Sequence, residues 1–209
     1  MQSSGIEIMA TLPEEPAIVA ATSLEARAVR RHAPQARVVK SGIGLARLRA
    51  SALGRYAISC GLAGGLRMDL PTGTVLIPSS ISTTDGVTVE CDPDWTLRLR
   101  RAAREVGCVA VDAPLLTSAT LINGAERAVW AARGFAGVDM ESARILVESI
   151  AVVRVILDTP QNELSSAWLH PARAILNPRN WREAMWLSRE APKCADLAGR
   201  LVAAALRRR

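Results

Sequence analysis

Four acidic residues stand where the chain could use them for chemistry. In Gly137-Val138-Asp139-Met140-Glu141-Ser142-Ala143-Arg144, two carboxylates sit two positions apart after a strand-like approach. The apolar run Ile150 to Leu157 follows and delivers a third, Asp158, to its own end. The fourth, Glu25, falls where the short apolar run Ala17 to Ala21 passes into a helical pattern. A further run, Cys60-Gly61-Leu62-Ala63-Gly64-Gly65-Leu66, carries glycines that let backbone approach a ligand closely. Carboxylates converging on one small polar ligand can donate a proton, accept one, or hold hydroxyl groups. Acids are also favoured in the first turn of any helix, and glycines after a strand also make tight turns. Spacing alone leaves both readings open, and it suits Asp139 better as a helix cap than as a reacting group.

The elements that must position these groups alternate along the chain. Ala17–Ala21, Arg37–Ser41, Tyr56–Cys60, Thr74–Pro78 and Ala151–Leu157 read as short buried strands, with candidates at Val109–Ala113 and Leu115–Thr117 split by Pro114. Helical spacing begins at Leu24, with Leu24, Ala28 and Val29 on one stripe, and recurs over Leu45–Leu53, Trp95–Gly107 and Ala125–Arg133. A helix capped by Asp139 would bury Ala143, Leu146, Val147 and Ile150, and a last one Ala198, Leu201, Val202 and Ala205. Alternating strands and helices predict an α/β fold with a mostly parallel or mixed sheet. In such folds ligands sit beyond the carboxyl ends of the strands, which would gather Gly61–Gly65, Asp139–Glu141 and Asp158. One domain is expected over 17–209 after a loose leader at 1–16, in which Met9 offers an alternative start.

Composition narrows the partners. The 209 residues carry a net charge of +6, supplied almost wholly by arginine, Lys40 and Lys193 being the only lysines. The arginines are dispersed and no aromatic stacking platform accompanies them, which argues against nucleic acid. The arginine tail 207–209 leaves a weak pull toward anionic lipid open. Cys60, Cys91, Cys108 and Cys194 form no ligand-spaced set with His32 or His170, so no metal is expected. The absence of a secretory pattern and the scattered cysteines point to the cytoplasm.

Val138-Asp139-Met140-Glu141-Ser142-Ala143 resembles the ribose-binding V-[DE]-M-E-[SA]-A motif of the nucleoside phosphorylase and nucleosidase superfamily. Val153-Arg154-Val155-Ile156-Leu157-Asp158-Thr159 resembles its V-R-x-I-S-D-T strand, and Cys60–Leu66 its G-S-A-G-G-L segment. Ser41-Gly42-Ile43-Gly44 is similar to its S-G-I-G element, and Ala119–Gly124 to the D-A-F-I-N-G segment of the methylthioadenosine and adenosylhomocysteine nucleosidases. The matches run in the family's order over about residues 17 to 160. They imply a single-domain three-layer α/β/α fold around a mixed, mostly parallel sheet, assembled as a homodimer or higher homo-oligomer.

The resemblance implies cleavage of a purine N-glycosidic bond without metal or cofactor. Asp158 would protonate the departing base, helped by the apolar strand end at Leu157. Met140 and Glu141 would hold the ribose, Leu121 and Ile122 would flank the base, and Ala63 and Gly64 would supply close backbone. Glu25 would activate water. Leu62 replaces a hydroxyl residue that helps bind phosphate or water, while nearby Arg27 keeps phosphate as a co-substrate in view. Leu121, Leu157 and Thr159-Pro160-Gln161 depart from the methylthioadenosine enzymes. The D-M-E-S form and the closing helix look more like the hopanoid-associated phosphorylase branch, which implies a lipid-linked nucleoside such as adenosylhopane. Trp168, Trp181 and Trp186 would line its exit or serve as ordinary core and interface residues.

Overall fold

The computed structural model describes residues 15–49, 52–169, 174 and 176–207. Of the leader expected over 1–16, all but Glu15 and Pro16 lie outside the described residues. The chain runs β1 (Ala17–Ala20), α1 (Ser23–His32), β2 (Val38–Lys40), β3 (Tyr56–Gly65), β4 (Val75–Leu76), β5 (Ser80–Thr83), β6 (Thr88–Glu90) and α2 (Pro93–Glu105). It continues with β7 (Ala110–Val111), β8 (Leu115–Thr117), α3 (Ala125–Ala132), β9 (Gly137–Asp139), β10 (Ser149–Ile156) and α4 (Trp181–Leu206).

The ten strands form one mixed sheet in which β3 and β10 are the long central pair, in parallel register from Ser149↔Tyr56 to Ile156↔Ala63. Among the described strands six of nine pairings are parallel, as the alternation predicted. Strand β3 pairs with β1 along its first half and with β9 at Gly64 and Gly65. It therefore belongs to two sections of sheet, and the fold turns at that end.

Side-chain alternation along β10 divides the core. Ala151, Val153, Val155 and Leu157 face a cluster with Val29 of α1, Leu99 and Ala102 of α2, and Leu201 and Val202 of α4. Ile150, Val152 and Ile156 face the other side with Val19, Ala57 and Leu76. Trp130 and Phe135, in and just after α3, pack on Leu66, Leu116 and Val138. The result is an α/β fold with helices on both sides of the sheet. Helix α4 presses so close to α1 that a β-carbon on Gly199 would lie 2.7 Å from the Ala28 carbonyl.

Four expectations fail locally. The helix expected after Asp139 is a 3₁₀ turn, Ser142–Arg144, with Leu146 85% exposed and Ile150 already in β10. Where a helix was expected over 45–53, the described residues show a 3₁₀ turn, Ile43–Leu45, and no α-helix, residues 50 and 51 lying outside them. The glycine run 61–65 is not a loop but the end of β3. On α1 the buried positions include Glu25 and Ala26, while Leu24 is partly exposed. The hairpin of β5 and β6 has no counterpart in the sequence reading. Among the described residues no helix is long and apolar enough to cross a membrane.

Candidate active site

Glu25 is held by the start of its own helix. Thr22 caps α1, and the two residues form a capping box: the Thr22 side chain accepts from Glu25 N–H, while Glu25 Oε2 accepts from Thr22 N–H and O–H, each at 2.7 Å. The other oxygen, Oε1, accepts from the Leu62 amide at 2.8 Å. The first-turn reading of Glu25 is therefore met, and the same side chain lines the cavity described below. It can occupy this place because residue 61 is glycine.

The carboxylates of the 139–141 turn have different fates. Asp139 closes β9 and is fully engaged, accepting from Thr117 O–H at 2.7 Å, from Ser142 N–H and O–H, and from Arg154 Nε at 2.9 Å and Nη2 at 2.6 Å. Arg154 is 1% exposed, on the opposite face of β10 from the helix-covered core, and also donates to Ser59 Oγ at 2.7 Å. An ionised pair this deep requires such saturation by hydrogen bonds. Asp139 is not the helix cap that its type suggested: Glu141 holds the cap position of the 3₁₀ turn, and the Asp139 carboxylate accepts from the Glu141 and Ser142 amides while anchoring Arg154.

Glu141 is the less neutralised acid. Its Oε1 accepts from Gly44 N–H at 2.8 Å, and Arg154 lies 3.9 Å from its other oxygen. The turn that presents this amide places Gly42, Gly44 and Leu45 at φ of 74°, 61° and 64°. Leu45 is the only non-glycine among the described residues in that region, a strain that accompanies functional geometry. Burial first, and then the neighbouring Asp139 carboxylate, push Glu141 up to about 7, with Arg154 and the Gly44 amide pulling the other way.

Asp158 follows β10 and is 9% exposed. Its Oδ1 lies 3.2 Å from where a β-carbon on Gly64 would sit, so this glycine makes room for the carboxyl. The setting is more polar than the apolar strand end suggested by the sequence, because Oδ2 accepts from the buried guanidinium of Arg127 on α3. Arg127 is thus a residue the sequence reading missed. A regular helical pattern over 125–133 gave no sign that one of its arginines turns inward. Arg154 did carry a signal, as a charge inside an apolar strand run.

The structure brings the expected groups together. Glu25, Ala63, Gly64, Leu121, Met140, Glu141 and Asp158 line one open cavity of about 220 Å³. Thr22, Ile43, Leu62, Leu164, Ser165 and Trp168 are among its other lining residues. Ile122 and Arg127 line a smaller recess that shares Gly64, Leu121, Met140 and Asp158 with the main cavity. The 164–168 segment is tied to α4 by Glu183, whose Oε2 accepts from Ser165 O–H at 2.9 Å and Trp168 Nε1–H at 2.6 Å. Trp168 therefore stands at the cavity, Trp181 is largely exposed, and Trp186 packs against the main core.

No family model and no curated protein sequence matches the chain. Solved structures do resemble it. One is a mutant of the methylthioadenosine nucleosidase of Helicobacter pylori with 5′-methylthioadenosine in its active site: 13% identical, TM-score 0.68, covering 91% of this chain and 97% of that one. The futalosine hydrolase of the same organism is 14% identical, with a TM-score of 0.67 over 91% and 96%. A putative methylthioadenosine/adenosylhomocysteine nucleosidase of Francisella philomiragia is 16% identical, with a TM-score of 0.69 over 92% and 98%. The chain has the fold of these nucleosidases over nearly the whole length of both partners.

Proposed function

We propose that this protein hydrolyses the N-glycosidic bond of an adenine nucleoside, releasing adenine. The observation that carries the reading is that Glu25, Glu141 and Asp158 line one cavity, Glu25 beside Gly61 and Asp158 beside Gly64 of β3. In this reading the ribose lies between a water at Glu25 and a base at Asp158. One carboxyl group acts as base toward water and the other as acid toward the leaving base.

In the reaction Asp158 gives its proton to a ring nitrogen of the base as the glycosidic bond breaks, and the bonding electrons leave with the base. Water adds to the anomeric carbon and Glu25 takes its proton. Glu141 and Met140 hold the ribose, the carboxylate stabilising positive charge that develops on the sugar. Ala63, Gly64, Leu121 and Ile122 enclose the base. Water is favoured over phosphate because Glu25 would repel an anion and Leu62 offers no hydroxyl to bind one. The chemistry needs no metal or cofactor.

For the 5′ substituent, the apolar wall of Ile43, Leu62, Leu164 and Trp168 supports a hydrophobic group, and adenosylhopane is the form that the motif resemblance implies. Methylthioadenosine is the second reading, favoured by the likeness to a nucleosidase that holds it. Adenine release measured over a panel of 5′-substituted adenosines, with and without phosphate, tests both. Ribose products in phosphate-free buffer support hydrolysis, whereas a phosphate requirement with ribose 1-phosphate products overturns it.

A further inference from the structure

We propose that Arg127 is a positioning residue that dictates which oxygen of Asp158 can carry a proton to the leaving base, an assignment that rests on the nucleosidase reading. Arg127 is 3% exposed and its guanidinium is fixed from several sides. Nη1 donates to Gly65 O at 2.7 Å and Nε to Ile122 O at 3.0 Å, while Nη2 donates to Asp158 Oδ2. Glu163 completes the frame. Its Oε1 lies 3.2 Å from Arg127 Nε and accepts from the Gly124 amide at 2.9 Å, at the start of α3.

The frame joins the end of β3, the 122–124 segment and the residues after β10, and Gly64, Ile122 and Asp158 from these pieces line the recess together with residues 138–140. Two carbonyls and Glu163 hold the guanidinium, so it cannot follow Asp158 if that side chain rotates. A guanidinium only donates. Oδ2, facing it, is therefore an acceptor, and a proton on this carboxyl sits on Oδ1, which lies 3.2 Å from the β-carbon position of Gly64 against 3.5 Å for Oδ2; Gly64 and Asp158 both line the cavity. Turning Oδ2 away from Arg127 would leave the buried guanidinium without its carboxyl partner, a costly state. Arg127 touches neither water nor ribose in this scheme and acts only through Asp158.

The experiment compares two leaving groups. Adenine needs a proton to depart, whereas 4-nitrophenolate departs as an anion. Release of adenine from 5′-methylthioadenosine and of nitrophenolate from 4-nitrophenyl β-ribofuranoside is measured for the wild-type chain, Arg127→Met and Arg127→Lys. Loss of orientation is expected to lower kcat for adenine release about 100-fold in Arg127→Met, the scale of a small misplacement of a reacting group. KM should change little, nitrophenolate release should fall only a few-fold, and Arg127→Lys should recover part of the loss by keeping one ion pair.

Equal loss on both substrates overturns the proposal by showing that Arg127 is merely structural. Undiminished adenine release in Arg127→Met overturns it as well. So does a wild-type chain that releases adenine but no nitrophenolate, since a site able to expel the harder leaving group must expel the easier one. A wild-type chain inert on both substrates and across the panel of 5′-substituted adenosines sinks the nucleosidase reading itself, a result distinct from the other three.

Discussion

The carboxylate of Glu25 fills the space that a side chain on Gly61 would need: a β-carbon there would lie 2.2 Å from Glu25 Oε1 and 2.8 Å from Arg154 Nη1. Both neighbours are buried and hydrogen-bonded, so neither can swing aside freely. Gly61→Ala should displace Glu25 from the Leu62 amide and cut kcat by about 100-fold or more, the range for loss of a proton-transfer group. The overpacking should cost about 1–3 kcal/mol. Steady-state kinetics beside denaturant unfolding measure both, and normal activity in a stably folded variant would remove Glu25 from its assigned place.

The Asp139–Arg154 pair makes a stability prediction. Asp139→Ala leaves a buried guanidinium without its main partner, and breaking such a pair costs about 3–5 kcal/mol. Equilibrium unfolding in urea should show the loss, with a corresponding fall in midpoint. A loss below 1 kcal/mol would mean that Glu141 or water takes over the pairing.

Glu141 ties stability to pH in a defined direction. Its folded value of about 7 lies above the ordinary 4.5, so the folded chain retains a proton that the unfolded chain has released. Stability should therefore fall as pH rises from about 4.5 to about 7 and flatten beyond that window. The charged form is the one that can accept from ribose hydroxyls, so kcat/KM should rise across the upper part of the same window. Glu141→Gln should flatten this part of the stability profile and lower kcat/KM. A stability curve of unchanged slope in that variant would assign the proton elsewhere.

Gly199→Ala should act on stability alone. Its β-carbon would meet the Ala28 backbone at 2.7 Å and force α4 away from α1, costing about 1–3 kcal/mol. Below the unfolding temperature kcat should stay within a factor of about three, since less than 1 kcal/mol would then reach the transition state. A larger kinetic defect would mean that α4 transmits strain through α1 to Glu25.

The central strand and the closing helix were legible because their apolar residues repeat with the period of a structure buried on known faces. Val153 and Val155 face the helices, and Ala198, Leu201, Val202 and Ala205 form one stripe on α4. The same logic misled after Asp139, where 143, 146, 147 and 150 match a helix. There Asp139 and the Ser142 hydroxyl are drawn into bonds with Arg154 and Ser59, and the turn they make is too tight for a helix to continue. Strands β5 and β6 escaped because serine and threonine hide the alternation, although Asp85-Gly86 between them is a hairpin signal. The acids of the site were legible as types at strand ends. The bond from Arg127 to Asp158 was not, because it spans 31 residues and depends on how α3 meets the sheet.

Two of the cavity's acids are gripped by main-chain amides, Glu25 by those of Thr22 and Leu62 and Glu141 by that of Gly44. An amide belongs to the position and not to the amino acid that fills it. At Leu62 a substitution other than proline can alter what the cavity admits without loosening the hold on Glu25, whereas Thr22 also gives Glu25 its hydroxyl and Gly44 sits at a φ of 61°. A site held by main-chain amides depends less on the side chains around it than on the path of the backbone, and the backbone is what this chain shares with solved nucleosidases at 13–16% identity.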